Sequence, residues 1–143
     1  MNLGMVTPGR LRQVVASALA LGALCLQSSA MERWAALSQI ESGNNDYVVG
    51  AAGEVSRYQI RPDVWNQYAH TKASWKNPMD SLAVARGVMV ERCAQFERSF
   101  HRPPNDFEFY VLWNAPAQIH RPSAGVRKRA GRFCQLIQKE SPA

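Results

Sequence analysis

Glu41 closes an apolar helical run and is followed at once by Ser42 and Gly43. A carboxylate placed there stands near the negative end of a helix, which favours its protonated form, the state that a general acid needs. Competing chemistries leave no comparable pattern. His70, His101 and His120 share no metal-ligand spacing, and neither Cys-x-x-Cys nor His-Glu-x-x-His occurs. A Gly-x-Ser-x-Gly nucleophile turn is absent, as is a Gly-Lys-Ser/Thr phosphate loop. The residues therefore point to acid–base chemistry on a single glutamate, with no metal and no cofactor expected.

The elements that must hold Glu41 read as mainly helical. Residues 31–41 carry Trp34, Leu37 and Ile40 at helical spacing, and Gly43 is placed to end the run. Residues 42–53 are rich in Gly, Asn and Asp and predict a loop or short hairpin. Tyr58 and Ile60 bracket Gln59 in a brief extended segment, and Pro62 opens a short helix with Val64, Trp65 and Tyr68. The clearest helix follows: Asn77 can cap it, Pro78 fits its first position, and Asp80 sits in the first turn. Its stripe is Leu82, Ala85, Met89, Cys93, Phe96 and Phe100. Asn105 and Asp106 offer caps for a helix with Phe107, Tyr110, Val111 and Trp113. Ser123 caps a last one whose stripe is Val126, Ala130, Phe133 and Ile137. The expected fold is a mainly α, compact bundle of about five helices with a small hairpin or loop region after the first.

The 143 residues suffice for one domain. Arg10 and Arg12, the apolar stretch Val14 to Leu26 and the small residues Ser28-Ser29-Ala30 have the form of a secretory signal peptide, cleaved after Ala30. The alternative is an uncleaved anchor, although about a dozen apolar residues fall short of a bilayer. Bulky Leu24 disfavours lipid attachment at Cys25. The net charge of +6 becomes +4 without Arg10 and Arg12, which suits an acidic partner such as a cell-wall polymer, nucleic acid or anionic lipid. Arg127-Lys128-Arg129, with Arg121 and Arg132, lies on the polar face of its helix, and a solvated or envelope-facing surface is expected there rather than nucleic acid. Cys93 and Cys134 remain as an even pair and form a disulfide candidate in an oxidising exterior. Such a bridge, closing about 40 residues, would contribute on the order of 3–4 kcal/mol. Two thiols packed as small hydrophobes are the alternative.

Three segments carry a family resemblance. Ala36-Leu37-Ser38-Gln39-Ile40-Glu41-Ser42-Gly43-Asn44-Asn45-Asp46 resembles the first motif of the soluble lytic transglycosylases, whose fold is lysozyme-like. Gly50-Ala51-Ala52-Gly53-Glu54-Val55-Ser56-Arg57-Tyr58-Gln59-Ile60 resembles the second, a Gly-rich turn leading to a glutamine. Tyr110-Val111-Leu112-Trp113-Asn114-Ala115-Pro116 resembles the third, with Trp113 where the family has tyrosine and Pro116 where it has glycine. The second motif departs as well, since Ser56-Arg57-Tyr58 precede the glutamine, and a later glutamate of many members has no match here.

The resemblance implies cleavage of peptidoglycan glycan strands in the periplasm or outside the cell, by a monomer, with Glu41 as the catalytic acid. It also implies substrate contacts from Ser42, Tyr58, Gln59, Tyr110, Trp113 and Asn114. Glycosidic cleavage needs a proton on the departing oxygen, and a lyase then lets the same carboxylate draw the proton from the sugar's 6-hydroxyl as a 1,6-anhydro ring closes. Hydrolysis usually needs a second carboxylate, for which Asp46, Glu54 and Asp63 are the candidates. A binding module without activity, or a structural part of an envelope machine, is the reading from a different class.

Overall fold

Helix boundaries follow local chemistry throughout the computed structural model, which describes residues 33–140. The proposed signal, residues 1–30, lies outside the described residues, as does the expected helix start at Met31. Arg33–Ala143 forms a compact unit of its own.

The first helix, α1, runs over residues 33–42. It ends because Gly43 and Asn44 both adopt left-handed backbone, with φ of 64° each. Their N–H groups close the last turn, Gly43 on the Gln39 carbonyl at 3.0 Å and Asn44 on the Ser38 carbonyl at 3.2 Å. Ala36, Leu37 and Ser38 are fully buried on its inner face.

Residues 45–61 are loop, with two isolated antiparallel bridges, Val49 to Val55 and Val55 to Ile60, so the loop runs beyond the expected 42–53. The brief extended segment expected around Gln59 is instead a turn over residues 56–59, with Ser56 and Gln59 in left-handed backbone. Arg57 holds this loop through a two-pronged pair with Asp46, Nε to Oδ1 at 2.6 Å and Nη2 to Oδ2 at 2.7 Å. Four helices follow: α2 (Pro62–Tyr68), α3 (Pro78–Phe100), α4 (Asp106–Asn114) and α5 (Ala124–Glu140), with one 3-10 turn at Pro116–Gln118. The chain is thus a mainly α bundle of about five helices, as the periodicity predicts.

The caps act as read from the sequence. Asn77 Oδ1 accepts from the N–H of Met79 and of Asp80, with Pro78 at the first position of α3. Asn105 and Glu108 form a reciprocal capping box at the start of α4. Ser123 Oγ accepts from Val126 N at 3.4 Å at the start of α5.

The expected α5 stripe is buried in full: Val126, Ala130, Phe133 and Ile137. On α3 the buried positions shift to Val84, Ala85, Val88, Met89 and Phe96, while Leu82, Cys93 and Phe100 are only partly covered. Helix α4 has Phe109, Tyr110, Val111 and Leu112 buried in succession, so it is enclosed on several sides and its expected one-sided stripe is too narrow. Phe133 anchors it, its ring stacked 5.9 Å from Phe109 and 5.4 Å from Tyr110. Arg33 ties the start of α1 to α4, with Nε 2.7 Å from Asp106 Oδ1. Cys93 and Cys134 are half-buried free thiols here, not a bridge, and burial pushes both upward in pKa. Among the described residues no helix is long and apolar enough to cross a membrane.

Candidate functional site

Glu41 stands one residue before the end of α1, where the helix meets the 45–61 loop. Its Oε1 accepts a hydrogen bond of 2.8 Å from the hydroxyl of Tyr110, a fully buried residue in the middle of α4. Burial raises the Glu41 pKa above the ordinary carboxylate value. The Tyr110 hydrogen bond and the charge of Arg129 pull it down, and the charge of Glu54 adds to the rise. Tyr110 is itself held far above the usual phenol range, first by burial and then by the Glu41 charge, so it remains a donor.

A cleft of about 620 Å³ opens beside Glu41. Gly50 to Ala52, Glu54 and Gln59 of the loop line it, together with Val88 and Arg92 of α3, Trp113 and Asn114 of α4, and Pro116 and Arg129. Gln59 reaches it from left-handed backbone, φ 50°, with its Nε2 donating to the Ser56 carbonyl at 3.0 Å. Asn114 is oriented by Arg129, whose Nη2 donates to Asn114 Oδ1 at 3.0 Å. Gly50 is needed for close approach: a β-carbon there would lie 2.3 Å from Glu54 Oε2 and 2.6 Å from Gln59 Oε1. Gly50→Val is therefore expected to displace both side chains, measured as shifted NMR signals of Glu54 and Gln59 beside the wild type.

The three candidate second carboxylates separate cleanly. Asp46 is committed to Arg57, which holds its carboxyl below the usual range. Asp63 lines the cleft but pairs with Arg61, Nε to Oδ1 at 3.0 Å, and is likewise depressed. Glu54 alone shares the cleft with Glu41 without an ion-pair partner among the described residues, and its Oε2 accepts from Ala52 N at 3.0 Å.

Of the expected substrate contacts, Gln59, Trp113 and Asn114 line the cleft with Glu41. Three do not. Tyr58 is buried in an aromatic cluster, 5.9 Å from Trp34 and 6.4 Å from Trp113, where it supports the Trp113 ring from behind. Tyr110 lies beneath the cleft and addresses Glu41 rather than a ligand. Ser42 spends its hydroxyl on the Arg57 carbonyl at 2.7 Å and accepts from Asn45 N at 3.1 Å, so it ties the loop to α1. Arg92 and Arg129 are cleft residues that sequence reading missed. Arg129 sits in a basic run on an otherwise exposed helix face, and only the helix packing turns it toward Asn114. Among the described residues no cluster of His, Cys, Asp or Glu is placed to hold a metal ion.

Tyr110→Phe removes the one neutral donor that stabilises the Glu41 carboxylate. The Glu41 pKa then rises further, so the carboxyl of the variant, followed by NMR, should titrate at higher pH than that of the wild type. Titration curves that overlay would count against this role.

No protein-family model, curated protein or solved structure matches this chain.

Proposed function

We propose that the chain is a peptidoglycan lytic transglycosylase that breaks the β-1,4 bond between N-acetylmuramic acid and N-acetylglucosamine. The observation that carries this reading is Glu41: a desolvated carboxyl with a raised pKa, held by a buried tyrosine, on the wall of a cleft that Gln59 and Asn114 also line. Protonated Glu41 gives its proton to the glycosidic oxygen as the bond to the anomeric carbon breaks. The resulting carboxylate then takes the proton of the same sugar's 6-hydroxyl, whose oxygen bonds to the anomeric carbon and closes the 1,6-anhydro ring. One carboxylate serves both steps, so the proton count returns to its start. Gln59 and Asn114 suit sugar hydroxyls and N-acetyl groups, and Trp113 adds an aromatic ring to the cleft lining. The work belongs to the periplasm or the outside of the cell, where this polymer lies.

Glu54 favours a second reading, hydrolysis. It shares the cleft and its charge reaches Glu41, so it is the residue that would activate a water on the opposite face of the sugar. Incubation of the protein with purified peptidoglycan, followed by mass spectrometry of the fragments, separates the readings. Anhydro-muropeptides are the expected product. Reducing ends that vanish in Glu54→Gln would instead establish the hydrolase, and retained binding with no fragments would leave a glycan-binding module, alone or within an envelope machine.

A further inference from the structure

One cation in the cleft wall is held by carbonyls rather than by an acid. Arg33, Arg57, Arg61 and Arg102 each pair with a carboxylate. Arg92, half-buried on α3, instead donates from Nη1 to the carbonyl oxygens of Leu112 at 2.8 Å and Trp113 at 2.7 Å. Those bonds seat its guanidinium on the last turn of α4, where unsatisfied carbonyls collect. Its Nε and Nη2 make no hydrogen bond among the described residues. No fully buried side-chain nitrogen or oxygen is left without a partner among the described residues, so these two donors are not fully enclosed.

Two pockets adjoin Arg92. Arg92 and Pro116 line the main cleft and also a second pocket of about 340 Å³ between the end of α3 and the 3-10 turn. Its wall is aromatic: Phe96 and Phe100 stack with centroids 4.2 Å apart, and the His120 ring lies 5.3 Å from Phe100. Gln95 and Ser99 add polar groups, and no acid lines it.

We propose that Arg92 and this second pocket bind an acidic peptide that branches from the glycan held in the main cleft. The Nε–Nη2 edge of a guanidinium presents two parallel N–H groups, the fork that matches the two oxygens of a carboxylate. The Phe96, Phe100, Leu112 and Ile119 side chains that line the second pocket suit aliphatic groups, which a free phosphate or an unsubstituted sugar lacks. Two adjoining compartments sharing Arg92 are filled together by a branched ligand, with the sugar on one side and the peptide on the other. The inference rests on the main cleft being the glycan site, and the peptide stems of peptidoglycan have this chemistry.

The test is an NMR titration of the full chain with the stem peptide released from peptidoglycan by an amidase, beside the same peptide with its carboxylates amidated. The acidic peptide is expected to shift the amide signals of Ser99, Ile119 and His120, and the amidated one to bind about tenfold more weakly. Arg92→Lys keeps the charge but loses the fork, so it should weaken the acidic peptide about tenfold and leave the amidated one nearly unchanged. Ser99→Trp, on an exposed position of the last turn of α3, fills the pocket without touching the core and should abolish the shifts. Equal binding of the two peptides, indifference to both substitutions, or no shifts at millimolar peptide would overturn the proposal. The same samples, assayed on glycan strands stripped of peptide, keep the two readings apart. Cleavage without peptide binding removes this site alone, whereas Arg92-dependent peptide binding without cleavage removes the catalytic reading alone.

Discussion

Glu41→Gln is expected to lower the release of anhydro-muropeptides by about 10²–10⁴-fold, the usual contribution of a positioned acid or base. The upper end is favoured because, in the proposed mechanism, the same carboxyl would serve both the protonation and the ring closure. The amide oxygen can still accept from Tyr110, so the loss should not reflect unfolding. Stability moves the other way, with a sign that can be worked out. Burial raises the folded-state pKa of Glu41 above its unfolded value, so the wild type carries a penalty that grows as pH rises past the unfolded value and is complete above the folded one. The glutamine variant lacks that penalty. It should therefore unfold later than the wild type at pH 7, and the difference should close as pH falls below about 4.5, the ordinary value for glutamate. Thermal unfolding at both pH values, beside a fragment assay, checks the two halves. Residual cleavage within tenfold of the wild type would remove Glu41 from the chemistry.

Phe133→Ala is expected to cost about 3–5 kcal/mol of folding stability, the range for deleting a buried phenylalanine ring. The residue has no exposed surface and its ring lies against both Phe109 and Tyr110, so the cavity opens in the contact between α4 and α5. For a domain near this size the midpoint should fall by about 10 °C or more. Chemical denaturation should show a lower midpoint with an unchanged slope. The same cavity loosens Tyr110, so any folded variant should also show a broadened or shifted pH profile through Glu41. A loss below about 1 kcal/mol would mean that the α4–α5 contact contributes little to holding the site.

How much of this was legible in advance varies with the range of the interaction. The α5 stripe of Val126, Ala130, Phe133 and Ile137 came out buried because one face of that helix is apolar and the other charged. The stripe read for α4 was too narrow, since Phe109 and Leu112 are buried beside Tyr110 and Val111. A helix covered on several sides has no polar face, and periodicity then carries no directional information. The resemblance brought Tyr58 and Tyr110 into the candidate site by their place in motifs. Their side chains turned out to support the site from within, because each ring is large enough to be claimed by the aromatic cluster or the α4–α5 contact. Glu54, Asp46 and Asp63 were indistinguishable as a list of acids. Their separation came from Arg57 and Arg61, which occupy two of them.

By itself the sequence determined the helical bundle, its caps and the end of α1 just after Glu41. Those features depend on spacing, on Asn, Ser and Pro at helix starts, and on left-handed backbone at Gly43 and Asn44, all of which act within a turn or two. Tertiary structure alone decided which groups face Glu41. Tyr110 lies 69 positions later in the chain, yet its hydroxyl is the group that holds the carboxyl. The carbonyls that seat Arg92 lie 20 and 21 positions from it. Such pairings arise from the close fit of whole helices, where burial sets proton affinity and leaves particular donors open to the cleft.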